Sequence, residues 1–224
     1  MVVPALDEEA SIAGVVEGFR ALEAIDLVVV VDNRSRDRTA ERARGAGALV
    51  VAENRPGYGA ALRTGIEHAL ELGAEIVVLA EADGTFDPAD LERLLAELAG
   101  CELVLGSRTD EMRGALRFGN RAVARFLSAL WPRSSCRLTD VGCTYRAFVA
   151  DAWREMRSGV RADGPEFSPQ MICEAFRRRL RVREVPVRYG VRSSGESKHT
   201  GSALAVARTA SRMLRSILAR RMAW

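Results

Sequence analysis

The stretch Ile76-Val77-Val78-Leu79-Ala80-Glu81-Ala82-Asp83-Gly84-Thr85-Phe86-Asp87-Pro88 decides how the chain is read. Its first five residues are apolar throughout, as in a strand buried on both faces. Its last two open a helix. Asp87 suits the N-cap and Pro88 the first helical position, ahead of Leu91, Leu94, Leu95 and Leu98 at helical spacing. Between strand and helix stand two carboxylates, Glu81 and Asp83. Buried carboxylates without partners are costly, so such a pair needs solvent, a helix N-terminus or a cation. A solvated turn that caps the helix accounts for Asp87 but poorly for Glu81. A hard divalent ion, Mg2+ or Mn2+, bridging to a diphosphate accounts for both Glu81 and Asp83.

Runs of the same apolar kind occur at Met1–Ala5, Leu27–Val31, Ala48–Ala52 and Leu103–Leu105. Amphipathic stretches lie between them, with Ile12, Val15, Val16 and Phe19 on one stripe and Leu62, Ile66, Ala69 and Leu70 on another. The alternation predicts an α/β fold, a mainly parallel sheet with helices on both faces. Ligands of such sheets bind beyond the carboxyl ends of the strands, so the loops there are the place to look for chemistry. After residue 106 the pattern loosens. It predicts a helix over about 116–130, a strand over 142–148, a helix over 168–179, a strand over 182–187 and a final helix after the polar loop 192–200. A chain of 224 residues is read as one domain.

The charge balance is uneven. Of 33 basic residues 32 are arginine, and the single lysine is Lys198. Residues 177–224 carry a net positive charge and the first 176 a net negative one, which points to an anionic partner near the C-terminal end. The four cysteines form no CxxC pair, so a structural zinc site is not expected. No signal peptide and no apolar run of the roughly 20 residues needed to cross a bilayer are evident, and a cytoplasmic or peripheral protein is expected. Few aromatics interleave with the basic tail and the loops are acidic, which argues against nucleic acid as partner. In the last helix Val206, Ala210, Met213, Leu214, Ile217 and Leu218 share one face, with Arg208, Arg212 and Arg215 opposite. It suits either docking on its own domain or contact with an anionic membrane surface.

Several loops together resemble the family 2 glycosyltransferases of the GT-A fold, in particular the polyprenyl-phosphate sugar transferases. Val3–Glu9 is similar to V-P-x-Y-N-E-E, with Leu6 and Asp7 in place of Tyr and Asn. Asp32–Thr39 resembles D-[DN]-x-S-x-D-x-T, and Gly57–Gly65 resembles G-K-G-x-A-x-x-x-G with Tyr58 in place of Lys. Glu81–Thr85 stands at the D-A-D-G-Q motif, with Glu81 for the first Asp and Thr85 for Gln. Gly106-Ser107-Arg108, then Arg117 and Gly119-Asn120, resemble the acceptor-side segment. Leu138–Phe148 resembles T-D-x-G-C-x-x-R-A-F, and 192–199 resembles R-x-x-G-x-S-K-H.

The resemblance implies inverting transfer from a nucleoside-diphosphate sugar, UDP-sugar before GDP-mannose, to a polyprenyl-phosphate acceptor. A soluble or carrier-bound acceptor and a catalytically inactive scaffold stay open. It implies a nucleotide-sugar half over 1–105, an acceptor half with a lid over 106–199 and the amphipathic helix over 200–224. Pro4, Leu6, Glu8, Asp32, Ser35, Gly59, Arg63, Ala82, Arg192 and Lys198 are expected on the donor side. Ser107, Arg108, Arg117, Asn120 and Arg146 are expected on the acceptor side, and Asp83 and Glu81 at the metal. Asp140 is the candidate for a base or for orienting the acceptor, with Asp83 beside it as catalytic.

Overall fold

A computed structural model describes residues 1–108, 114–132, 134, 136–191 and 203–222. The first half alternates as the apolar runs require: β1 (Val2–Ala5), α1 (Ile12–Arg20), β2 (Val29–Asp32), α2 (Thr39–Gly45), β3 (Leu49–Ala52), α3 (Tyr58–Glu71) and β4 (Ile76–Leu79). A short 3-10 turn, Pro88–Asp90, leads into α4 (Leu91–Leu98), and Asp87 caps it by accepting the Ala89 N–H at 2.9 Å. There follow β5 (Leu103–Ser107), α5 (Gly114–Leu130), β6 (Arg146–Val149), α6 (Ala150–Met156), α7 (Phe167–Arg177), β7 (Val182–Pro186) and α8 (Ala203–Met222).

The strands form one sheet in the order β3-β2-β1-β4-β6-β5-β7. Every pairing is parallel except those of β6, which runs antiparallel between β4 and β5. Strand residues alternate between two cores. Val2, Val29 and Val31 pack with Leu62 and Ile66 on one face, while Val3 and Val30 pack with Ile12, Val16, Phe19 and Leu94 on the other. Helices therefore cover both faces, as the continuous apolar strands demand.

The predicted strand over 142–148 is shorter than expected. Gly142 and Cys143 donate their N–H groups to the Asp140 carboxylate instead of to a ladder, so pairing begins only at Arg146. The final helix packs on its own domain over its described side chains. Ile217 is buried in the core, Gln170 Nε2 donates to Ser216 Oγ at 3.0 Å, and Arg212 and Arg220 pair with Glu166 and Glu174 of the α7 region. The arginines expected to face away are thus partly used for docking. Among the described residues no helix is long and apolar enough to cross a membrane.

Two contacts set how α3 sits. At Gly65 an added Cβ would lie 2.4 Å from Val2 Cγ1 and 2.7 Å from Val31 Cγ2, so only glycine lets the helix reach the sheet. Near the helix start, Glu53 accepts from Arg55 Nη2 at 2.7 Å, from the Arg55 N–H and from the Thr64 hydroxyl. These donors, the Arg55 side chain foremost, hold its carboxyl at about 2 against an ordinary 4.5.

Gly65→Ala is expected to lower unfolding free energy by about 1–3 kcal/mol, because the clash is with two core valines. Urea denaturation measures it. Because Glu53 has a depressed folded-state pKa, its contribution is complete above 4.5 and disappears as pH falls toward about 2. Glu53→Gln is therefore expected to be less stable at neutral pH and to show a flatter acid limb in melts taken from pH 5 to pH 2.

Candidate functional site

The carboxyl ends of β1, β2 and β4, the entry to β6 and the exits of β5 and β7 converge on one rim of the sheet. On it the first two loops are laced together. Asp7 N–H donates to Ser35 Oγ at 3.1 Å, Arg36 N–H returns to Asp7 Oδ1 at 2.8 Å, and Glu8 N–H donates to Thr39 Oγ1 at 2.8 Å. Asp32 Oδ1 accepts the Ser35 N–H at 3.2 Å. Asp7 sits at φ 55, in the left-handed region that Asp and Asn tolerate best, which explains how Asp stands where the family pattern has Asn. Glu8, Asp32 and Ser35 thus lie on this laced rim, with Pro4 paired to Val31 in the adjoining strands and Leu6 just past the end of β1.

Gly59 and Arg63 are not part of that group. The N–H groups of Gly59 and Ala60 both donate to the Asp163 carbonyl, at 2.7 and 3.3 Å. Arg63 reaches the Ala162 carbonyl and the Asp163 carboxylate. An anion site at this helix N-terminus is thereby filled by the chain's own loop, and glycine is needed because a Cβ would lie 2.2 Å from the Ala162 oxygen. Both residues, expected on the donor side, dock the loop before α7.

At the end of β4, Asp83 is buried and its Oδ1 accepts from Thr85 N–H at 3.1 Å and Thr85 Oγ1 at 2.7 Å. Ala82 is buried between the two carboxylates. Glu81 Oε1 accepts from the Thr144 hydroxyl at 2.6 Å. Tyr189 stands nearby: both carboxylates and burial raise its phenol above the ordinary value, with burial first. Among the described residues no three His, Cys, Asp or Glu side chains gather into a cage. A pair of hard carboxylate oxygens suits an Mg2+ or Mn2+ ion that takes its other ligands from diphosphate and water.

Several of the residues expected on the acceptor side cluster around Asp140. Its buried carboxylate accepts from Arg108 Nε at 2.8 Å, Arg108 Nη2 at 3.1 Å, Arg108 N–H at 3.1 Å, Gly142 N–H at 2.9 Å and Cys143 N–H at 3.1 Å. Asn120 adds a further hydrogen bond from α5. Burial alone would raise its pKa, but Arg108 and these donors hold it below the ordinary value. Arg108 also lies over the Tyr189 ring, 5.1 Å from its centroid. Ser107 Oγ meets Thr139 Oγ1 at 2.7 Å, and Thr139 and Asp140 donate their N–H groups to half-buried Glu184. Arg117 lies one turn before Asn120 on α5.

Arg146 is placed elsewhere. Its guanidinium is buried and donates to the carbonyls of Cys143, Val141 and Ser168 at 2.8, 3.0 and 3.0 Å. It braces the 140–145 loop against α7 rather than facing an acceptor. Arg192 and Lys198 lie outside the described residues. Sequence reasoning missed Tyr189, Thr144, Glu53 and Glu184. Only Tyr189 left a signal, as an aromatic directly after a strand and ahead of the basic loop.

Residues 1–148 match the family described as Glycosyl transferase family 2. An uncharacterized glycosyltransferase of Mycobacterium tuberculosis is 34% identical over 222 residues, covering 90% of this chain and 89% of that one. An undecaprenyl-phosphate mannosyltransferase of Micrococcus luteus is 29% identical over 210 residues, covering 89% of this chain and 86% of its own. Among solved structures, glucosyl-3-phosphoglycerate synthase from Mycobacterium tuberculosis in complex with Mn2+, UDP and phosphoglyceric acid superposes with a TM-score of 0.77 at 25% identity, over 98% of this chain and 77% of that one. With the laced strand ends, the paired carboxylates and the sheet order already in place, these matches make the chain a GT-A-fold hexosyltransferase of glycosyltransferase family 2.

Proposed function

We propose that the protein transfers a sugar, with inversion, from a UDP-sugar to a polyprenyl-phosphate acceptor. The loops 4–9 and 32–39 take the nucleoside, with Asp32 as acceptor for base or ribose donors and Ser35 and Asp7 fixing its position. Asp83 and Glu81 would hold Mg2+ or Mn2+, which when bound neutralises charge on the departing diphosphate. The bond from the anomeric carbon to the β-phosphate oxygen breaks, and a bond to an acceptor oxygen forms on the opposite face. Arg108, held by Asp140 and Tyr189, presents a preorganised cation to an acceptor phosphate. Arg192 and Lys198 are assigned to the donor phosphates as cations of the basic segment.

One observation carries the choice of acceptor. The Asp140 carboxylate is buried, ionised and engaged on both oxygens by Arg108 and by the Gly142 and Cys143 N–H groups. Such a group is a poor base for a hydroxyl, and it acts here by positioning Arg108. A phosphate monoester is already anionic and needs no proton removed before attack. The undecaprenyl-phosphate specificity of one relative supports this reading, and UDP in the superposed synthase supports the donor.

With undecaprenyl phosphate, radiolabelled UDP-sugars and Mn2+, label is expected in the lipid phase. Label found only in glycosyl-phosphoglycerate, with phosphoglyceric acid supplied instead, would overturn the acceptor assignment. UDP plus Mn2+ at about a hundred times the dissociation constant contributes roughly 2.7 kcal/mol, a melting shift of about 5–10 °C for a chain of this size. Asp83→Asn is expected to lose the Mn2+-dependent part of that shift and the transfer activity together.

A further inference from the structure

Glu81 is joined to α3 through two hydroxyls. Thr144 Oγ1 donates to Glu81 Oε1 at 2.6 Å, and Tyr58 Oη lies 2.6 Å from the same Thr144 oxygen. A threonine hydroxyl has one proton, and a carboxylate oxygen only accepts, so that proton belongs to the Glu81 contact. Tyr58 must then be the donor to Thr144. The chain is directed: Tyr58 to Thr144 to Glu81. Burial, then the Glu81 charge, raises the Tyr58 phenol to about 12, so it keeps the proton this direction requires.

Both ends of this chain are anchored. The Tyr58 ring meets Phe167 edge-on, with centroids 6.4 Å apart, and the helix start it belongs to is capped by the Asp163 carbonyl. Thr144 is buried in the loop that Asp140 and Arg146 hold from either side. A Glu has one more rotatable bond than an Asp and loses more rotamer freedom when fixed at a metal. Tyr58 and Glu81 are also two of the positions at which this sequence departs from the family pattern.

We propose that Tyr58 and Thr144 are positioning residues that hold Glu81 as a ligand of the divalent cation, the hydrogen-bond chain supplying the rigidity that the longer side chain lacks. This rests on Glu81 and Asp83 being the cation site. Hydrogen bonds to a ligating carboxylate set its orientation, and their loss costs about 10–100-fold in metal affinity. Through Tyr58 the chain of hydrogen bonds reaches the start of α3, where the Gly59 N–H donates to the Asp163 carbonyl.

The test is Mn2+ affinity of the UDP-loaded protein, read from the free-Mn2+ paramagnetic resonance signal. Thr144→Val removes the donor at nearly constant volume and is expected to weaken Mn2+ binding about tenfold or more. Thr144→Ser keeps the hydroxyl and is expected to restore it. Tyr58→Phe, which keeps the ring packing, is expected to weaken it to a smaller degree, while the melting shift caused by UDP without metal stays at the wild-type value in all three. Wild-type Mn2+ affinity in both Thr144→Val and Tyr58→Phe overturns the proposal and leaves the cation site standing. Should Thr144→Val fail to fold, unchanged affinity in Tyr58→Phe alone overturns it. No Mn2+ binding by the UDP-loaded wild type would instead remove the cation site itself.

Discussion

A carboxylate buried at the carboxyl rim of a sheet has to be answered from every side, and Asp140 gathers the segments around it by that requirement. Removing one partner of such a buried pair costs about 3–5 kcal/mol, because an uncompensated charge remains. The donors that satisfy it come from the end of β5, from the loop before β6 and from α5. Its own N–H is fixed by Glu184 of β7. Four separate segments are thereby held at one point, and the Arg108 guanidinium is fixed between Asp140 and the Tyr189 ring. The same demand explains the short β6, since N–H groups spent on Asp140 are not available to the ladder.

The rim at the ends of β1, β2 and β3 is satisfied in a different way. There the loops after β1 and β2 exchange backbone N–H groups for each other's side-chain oxygens, through Asp7, Ser35, Glu9 and Asp37. Glu53 and Asn33 do the same between the ends of β2 and β3 and the start of α3, with Asn33 accepting the Gly57 N–H at 2.8 Å and donating to the Arg55 carbonyl at 2.7 Å. Polar groups at a strand end are satisfied before a ligand arrives, which keeps the cost of organising the site low on binding. The two carboxylates after β4 are each fixed by a hydroxyl, with Glu81 tied through Thr144 to the loop before β6 and Asp83 closed on Thr85.

Much of the fold was legible. Met1–Ala5, Leu27–Val31 and Ile76–Ala80 are apolar without alternation, and each contains a strand covered on both faces. Asp87-Pro88 marked a helix start that formed as read. The strand over 142–148 begins only at Arg146, because the Gly142 and Cys143 N–H groups answer a carboxylate two and three residues away. In the site, the first two loops each carry a recognisable local pattern, while the contacts that lace them join residues 28, 29 and 31 positions apart. Gly59, Arg63 and Arg146 carried the right residue types in the right order, yet their partners at Ala162, Asp163 and Ser168 are distant in sequence.

The parallel α/β layering, the rim at the strand ends and the pair of acidic side chains offered there are all written in the primary structure. Those follow from periodicity and turn chemistry, which act over a few neighbouring residues. Which polar groups remain for a ligand and which are consumed by the chain was decided only in three dimensions. Arg108 and Arg146 are both arginines beside strand ends, but one is clamped at the rim by Asp140 and the other is buried among carbonyls. Tyr58 became a donor toward Glu81 only because Thr144 lies between them. Partners separated by tens of residues are brought together by the packing of the whole sheet and its helices, and no local pattern encodes that meeting.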